Sequence, residues 1–123
     1  MAIHQSGEDY LETILTLQQR NGQVRSVDVA TELGYSKPSV SIAMKKLREQ
    51  GYVRVDESGL LSLTQEGADV AKGVYERHKT LKKALMLLGV DEEAAAEEAC
   101  KLEHAISDCT LQKIQDYLKK LEG

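Results

Sequence analysis

Three residues in the C-terminal part of the chain could bind a transition metal together. Cys100, Glu103 and His104 stand at positions i, i+3 and i+4, and on a helix such positions lie over one another on one face. Thiolate, carboxylate and imidazole groups are the commonest side-chain ligands of first-row transition metals. The spacing therefore indicates a metal site, although a small buried cysteine beside a surface Glu-His pair would give the same pattern.

Two other places in the sequence carry residues of the same chemistry. Asp9 and Glu12 form a second i, i+3 pair of carboxylates in the first predicted helix, and His78 lies in a long predicted helix among charged residues. Each of them alone fits an ordinary solvated helix face equally well. The residues alone are consistent with one metal site and equally with a set of unrelated surface groups.

The elements that must position these residues are mostly helical. Periodic apolar positions, capping residues such as Ser26 and Thr64, and stops such as Gly34 predict helices and their ends. The sequence predicts helices over residues 6–20, 26–33, 36–50 and 64–88, two more starting at 91 and 108, and strands over 52–55 and 60–63. The predicted fold class is mostly α with a small β-hairpin: a winged helix-turn-helix followed by an all-helical region.

The segment from Ser26 to Lys45 has the pattern of a helix-turn-helix. Ala30 is small where two helices approach, Gly34 suits the tight turn, and the hairpin that follows would be the wing. Small hydroxyl residues and cations at the second helix and wing could reach bases or phosphates. The candidate DNA-binding residues are Arg25, Ser36, Lys37, Pro38, Ser39, Ser41, Lys45, Lys46 and Arg54. A winged helix that contacts another protein is the alternative.

The charge distribution supports DNA binding better than the net charge does. The net charge of −4 argues against nucleic acid, but residues 20–54 carry seven Lys or Arg against three Asp or Glu. Residues 89–109 carry seven Asp or Glu against one Lys. One region thus suits phosphates and the other suits cations.

Length and composition limit the classes of protein. At 123 residues and 13.6 kDa, we expect a DNA-binding domain over residues 1–70 and a helical domain over 71–123. No apolar run approaches a membrane span, and the N-terminus lacks a signal-peptide pattern. Two cysteines in such a chain favour a reducing environment, so we expect a cytoplasmic protein with no membrane partner.

Five segments in one order resemble a known family. They are residues 7–14 (GEDYLETI), 36–40 (SKPSV), 63–67 (LTQEG), 77–78 (RH) and 98–104 (EACKLEH). Their order and spacing are similar to those of the diphtheria toxin repressor / manganese transport regulator family of metal-dependent transcriptional repressors. The resemblance covers nearly the whole chain.

The resemblance implies a function, a ligand set and partners. It implies a repressor of metal-ion homeostasis that binds a palindromic operator in double-stranded DNA when a divalent metal is bound. It also implies a homodimer held by the helical region, no small organic substrate and no enzymatic activity. By matching position, the metal ligands would be Asp9, Glu12, His78, Cys100, Glu103 and His104. His4 and Cys109 match no ligand position.

Departures from the family pattern bear on which metal is bound. The manganese-responsive branch typically has a carboxylate where this chain has Cys100, and the iron-responsive branch typically has Met where this chain has Asp9. The positions of an ancillary iron-branch site are Lys82 and Ala96 here, so we expect that site to be absent, and we expect a short form without the SH3-like domain. A thiolate favours Fe(II), Co(II) or Zn(II) over Mn(II), whereas carboxylates suit Mn(II) and Fe(II). We therefore expect iron, with manganese as the alternative and Zn(II) or Co(II) as substitutes in vitro.

Two other functions compete with a metal-dependent repressor. A metal-dependent hydrolase would need an open coordination position for an activated water, and a fully ligated site leaves little room for one. A winged-helix regulator that senses no metal would bind DNA equally well with and without one. Both alternatives differ from a metal-dependent repressor in a property that can be measured, namely hydrolysis or the dependence of DNA binding on metal.

Overall fold

The predicted fold class is confirmed by the computed structural model, which describes residues 5–122, with side chains from residue 7 onward. The described residues form six helices and a small three-stranded sheet. In order these are α1 (Gln5–Asn21), β1 (Val24–Arg25), α2 (Ser26–Leu33), α3 (Lys37–Glu49), β2 (Val53–Val55), β3 (Leu60–Leu63), α4 (Gln65–Leu87), α5 (Glu92–Leu102) and α6 (Asp108–Glu122).

The chain separates into two compact units between Lys72 and Gly73, within α4. The first unit holds α1 to α3, the sheet and the start of α4. The second holds the rest of α4 with α5 and α6. The domain boundary expected between residues 70 and 71 remains a prediction. Among residues 5–122, no helix combines the length and the apolar character needed to cross a membrane.

The sheet of the first unit has β3 in its centre. Its order is β1-β3-β2, and both pairs are antiparallel, with Val24 opposite Leu61 and Val53 opposite Leu63. The hairpin of β2 and β3 is the predicted wing. Strand β1 was not predicted, because two residues carry no alternating pattern and their partners lie far away in the sequence.

The core of the first unit is aliphatic. Its helices α1, α2 and α3 pack on one another and on the sheet. The interior is filled by side chains that are fully buried, namely Leu11, Ile14, Val24, Val29, Val40 and Val53. Removing such side chains from water is the main contribution to folding. It leaves the outer faces of α2 and α3 mostly to polar residues, although Val27 and Ile42 are exposed as well.

Local hydrogen bonds fix the helix-turn-helix. Helix α2 spans the predicted residues, but Arg25 rather than the predicted Ser26 holds the cap position, and its N–H donates to Asp28 Oδ2 at 2.9 Å. Gly34 ends α2 in the left-handed conformation, with φ 71°, which a glycine adopts without strain. Ser36 caps α3 by accepting from the N–H of Ser39 at 3.3 Å.

The wing is joined firmly to the start of α4. Thr64 Oγ1 donates to the carbonyl of Gly51 at 2.6 Å and accepts from the N–H of Gly67 at 3.1 Å, as its predicted capping role requires. Gly67 packs against the backbone before β2 so closely that a Cβ there would lie 2.0 Å from the carbonyl oxygen of Tyr52. Only glycine fits this contact.

The second unit is a small helical assembly. Leu81 of α4, Ala95 and Ala99 of α5, and Leu118 of α6 are buried. Small alanine side chains on α5 allow close packing of that helix. Polar contacts between α4 and the later elements tie the unit together, including Lys82 Nζ to Glu92 Oε1 at 3.3 Å and Gln115 Nε2 to Thr80 Oγ1 at 3.4 Å.

Candidate metal centre and DNA-binding surface

A buried carboxylate lies between two histidines in the second unit. Glu103 is 1% exposed, with Oε2 3.0 Å from His78 Nδ1 and Oε1 3.3 Å from His104 Nε2. The side chain of His104 is 4% exposed and that of His78 is 26% exposed. Burying a carboxylate is costly unless cations or donors surround it. One oxygen-donor and two nitrogen-donor side chains thus converge on one small volume, a donor set that fits a divalent metal.

The surroundings of His78 favour its neutral form. Burial lowers the pKa of His78 below its ordinary value of 6.5, and the positive charge of Lys82 lowers it further. The distance of 3.0 Å between His78 Nδ1 and Glu103 Oε2 fits a hydrogen bond in which Nδ1–H donates to the carboxylate. An imidazole that donates Nδ1–H to a carboxylate keeps its Nε2 lone pair for a metal.

Cys100 and Glu103 have different surroundings although they are three residues apart. Helix α5 ends at Leu102, Glu103 follows it with φ −60° and ψ −25°, and His104 lies in the turn beyond. Cys100 is exposed, and neither it nor Cys109 forms a disulfide. Cys100 lies in α5, and Glu103 continues its last turn. His104 lies beyond the helix, so the three residues do not share one continuous helix face, contrary to the expectation.

Arg77 holds the segment after α5, which carries Glu103 and His104. Its Nη1 donates to the carbonyls of Glu103 at 3.1 Å and Ile106 at 2.9 Å, and its Nη2 contacts Asp108 at the start of α6. These carbonyls follow the end of α5, where helices leave backbone acceptors without intrahelical partners. The sequence offered Arg77 only as a neighbour of His78 and gave no signal for this role.

Asp9 and Glu12 lie in the first unit, on α1. Both are half-buried. Their backbone carbonyls accept hydrogen bonds from Thr13 Oγ1 at 2.8 Å and Thr16 Oγ1 at 2.9 Å. That they share a metal with the residues of the second unit remains a prediction. His4 lies outside the described residues.

The predicted DNA-binding residues all lie on the surface of the first unit. Every one of the nine is exposed. Two of the serines also act within α3, since Ser36 Oγ donates to Ser39 Oγ at 2.8 Å. Arg25 has a structural contact as well, because its Nη1 donates to the carbonyl of Ser58 in the wing turn. Arg25 therefore helps to set the position of the wing.

A shallow groove separates α3 from the wing. It is lined by Ser26, Ser41, Met44, Lys45, Arg48 and Val55. Two cations and two hydroxyls beside an apolar floor suit a sugar-phosphate backbone, which presents both charge and apolar surface. Two of the lining residues, Ser41 and Lys45, are among those predicted from the sequence to bind DNA.

Both parts of the chain match one family. Residues 3–60 match the family described as "Iron dependent repressor, N-terminal DNA binding domain". Residues 64–123 match "Iron dependent repressor, metal binding and dimerisation domain".

Individual relatives agree with this match. An uncharacterized HTH-type transcriptional regulator of Methanocaldococcus jannaschii is 39% identical over 120 residues, which is 96% of each chain. Transcriptional regulator MntR of Escherichia coli is 34% identical over 113 residues, covering 92% of this chain and 73% of MntR. A solved manganese-dependent transcriptional repressor in complex with manganese has a TM-score of 0.84 and 34% identity, covering 92% of this chain and 52% of that one.

The chain spans about half the length of several of the solved relatives that it matches. The relatives of similar length and the two family matches nevertheless agree with a winged helix-turn-helix followed by a helical domain. They are named as transcriptional regulators, in agreement with the expectation that the chain is not an enzyme. The chain belongs to the diphtheria toxin repressor / manganese transport regulator family of metal-dependent transcriptional repressors.

Proposed function

We propose that the chain is a homodimeric repressor that binds a palindromic operator when a divalent metal is held by Asp9, Glu12, His78, Cys100, Glu103 and His104. The observation that carries the proposal is the buried Glu103, whose two oxygens each lie within 3.3 Å of an imidazole nitrogen. Residues 64–123, which hold four of the six proposed ligands, match a family region described as metal binding.

The six proposed ligands supply complementary donors. Three carboxylates, two imidazoles and one thiol would surround the cation, and a bound divalent cation would offset the negative charge of the carboxylates. The ligands come from α1, from α4 and from the end of α5. Joint ligation would restrain α1 and thereby favour the arrangement in which both recognition helices fit successive half-sites.

The DNA-binding part of the proposal rests on the exposed residues of α3 and the wing. We assign phosphate and groove contacts to the residues predicted from the sequence, which are Arg25, Ser36, Lys37, Pro38, Ser39, Ser41, Lys45, Lys46 and Arg54. Lysine and arginine supply sequence-independent affinity, and hydroxyls at the start of α3 can reach base edges. Residues 3–60 match a family region described as DNA binding.

The homodimer is supported by an apolar groove on the second unit. Residues of α4 and α6 form most of its lining, and four of the apolar lining residues are more than half exposed, namely Leu87, Leu88, Tyr117 and Leu121. An apolar surface of this kind marks a binding site in soluble proteins. We propose a second copy of the chain as its occupant, because the family region that covers it is described as a dimerisation domain. The main lining residues are Leu81, Leu87, Leu88, Tyr117, Leu118 and Leu121.

We propose Fe(II) as the physiological metal and Mn(II) as the alternative. The thiol of Cys100 supports iron, since a soft ligand discriminates against Mn(II). The name of the solved manganese-dependent repressor supports manganese. The two readings differ in measured affinity, so one titration distinguishes them.

The experiment is DNA binding under anaerobic conditions, titrated separately with Fe(II), Mn(II) and Zn(II). Duplexes are first selected from a randomised pool with each metal present, and affinity is then followed by fluorescence anisotropy. We expect tight binding with metal, loss of binding with chelator, and the lowest midpoint concentration for Fe(II). Glu103→Gln and His104→Ala should lose the metal response, whereas Cys109→Ser should keep it.

Equal DNA affinity with chelator and with every metal would identify a winged-helix regulator that senses no metal. A lower midpoint for Mn(II) than for Fe(II) would identify the manganese-responsive alternative. Unchanged behaviour of Glu103→Gln would remove this carboxylate from the ligand set.

A further inference from the structure

Ile42 is an exposed aliphatic residue on the outer crest of α3. Its side chain is 68% exposed, whereas Val40, Met44 and Leu47 on the same helix are buried. At about 100° per residue, Ile42 lies roughly half a turn from those three residues, on the opposite side of the helix. It therefore projects away from the core of the first unit.

The surroundings of Ile42 are polar and basic. Pro38 and Lys45 lie on the same crest, one turn before and one turn after it, and Ser39 and Lys46 flank the crest. All four are exposed. An isolated branched aliphatic side chain beside two lysines gains nothing from water, but it would lie in the groove if those lysines contact the phosphates.

The chemistry of the side chain limits what Ile42 can recognise. It has no donor or acceptor, so it cannot read the hydrogen-bonding pattern of the base edges. The apolar feature that the four bases present in the major groove is the C5-methyl group of thymine. We propose that Ile42 is a specificity-determining residue that contacts a thymine methyl group in each half-site. This inference rests on the proposed DNA binding.

Thymine and deoxyuridine differ only by that methyl group, which makes the contact directly testable. Duplexes are selected by the wild-type protein from a randomised pool, with Mn(II) and, anaerobically, with Fe(II). Each selected thymine is then replaced in turn by deoxyuridine, symmetrically in both half-sites, and Kd is measured. We expect about fourfold weaker binding per half-site at one thymine position, as for the loss of one buried methyl group.

Two variants connect the effect to Ile42. Ile42→Ala should bind the thymine duplex more weakly and show no further loss with deoxyuridine at that position. Val27→Ala also shortens an exposed aliphatic side chain, but on α2, where Val27 is 41% exposed, and it should keep the full dependence on the methyl group.

The possible outcomes separate this inference from the proposed function. Unchanged wild-type affinity for every deoxyuridine duplex overturns the inference and leaves the DNA-binding proposal standing. Ile42→Ala that retains the full loss also overturns it, because another residue then contacts the methyl group. Failure to bind any duplex with any metal overturns both.

Discussion

A proton and the proposed metal would compete for the imidazole of His78. Burial is the larger cause of the lowered pKa of His78, and repulsion from Lys82 is the smaller one. The lowered pKa delays protonation as the medium becomes acidic, so the neutral ligand persists to a lower pH than an exposed histidine would. A residue that is a weaker base in the folded chain also makes folding depend on pH.

The metal-free protein should therefore lose stability in mild acid. Because the folded pKa of His78 is below the ordinary value of 6.5, the unfolded chain binds the proton more readily. Its effect on the free energy of unfolding is absent well above pH 6.5 and grows as the pH falls from 6.5 to the folded pKa, then stays constant. Urea denaturation in chelator should show His78→Gln losing less stability than wild type between pH 7.5 and pH 5. An equal loss in both proteins would contradict this prediction.

The thiol of Cys100 should control the choice of metal. Cys100→Glu replaces a soft donor by a hard one at an exposed position, so the change should not disturb the core. We expect the ratio of Fe(II) to Mn(II) affinity to fall in this variant, measured by anaerobic competition titration. Cys109→Ser, at the other exposed cysteine, should leave the ratio unchanged. An unchanged ratio in Cys100→Glu would remove the argument for iron.

At the scale of elements, the sequence predicts what local interactions determine. The ends of α2, α3 and α4 follow from Gly34, Ser36 and Thr64, whose roles depend on residues within a few positions. Strand β1 escaped prediction because its pairing with β3 is purely long-range. The role of Arg77 is invisible in the sequence for the same reason, since its acceptors lie more than twenty residues away.

The second unit should depend on Arg77 more than on the ion pair that Arg77 makes. Arg77→Ala leaves the carbonyls of Glu103 and Ile106 without this donor. The side chain is partly buried, so we expect a loss of about 2 kcal/mol in the free energy of unfolding. Asp108 is 92% exposed, and Asp108→Ala should cost under about 1 kcal/mol. Urea denaturation of both variants measures the difference, and equal losses would assign the effect to the ion pair instead.

Two glycines of α4 should respond in opposite directions to the same substitution. A Cβ at Gly67 would collide with the rigid backbone of Tyr52, so Gly67→Ala should destabilise the first unit by about 2 kcal/mol or more. At Gly73 no atom lies within 4 Å of the added Cβ, so Gly73→Ala should stabilise the helix by up to about 1 kcal/mol. Thermal denaturation followed by circular dichroism compares them. Equal effects would show that the contact with Tyr52 does not constrain α4.

At the scale of the whole molecule, the sequence identifies types of residue better than their environments. Spacing and resemblance together named six ligands, yet nothing in the sequence distinguishes the buried Glu103 from the exposed Cys100. Burial depends on packing between helices that are distant in the chain. The apolar groove of the second unit was likewise not identified from the sequence, because its lining comes from α4 and α6, which are separated in the chain.

Dimerisation should fail when a charge is placed in that groove. Leu88 and Leu121 are 81% and 57% exposed, so Leu88→Glu and Leu121→Glu should leave the fold intact while an acidic group opposes burial against a second copy. We expect monomers in analytical ultracentrifugation and weaker binding to a palindromic duplex, because one recognition helix then reads one half-site. Val27→Glu, which adds the same charge at an exposed apolar site of the first unit, should remain dimeric. If both groove variants also remain dimeric, the second copy binds a different surface.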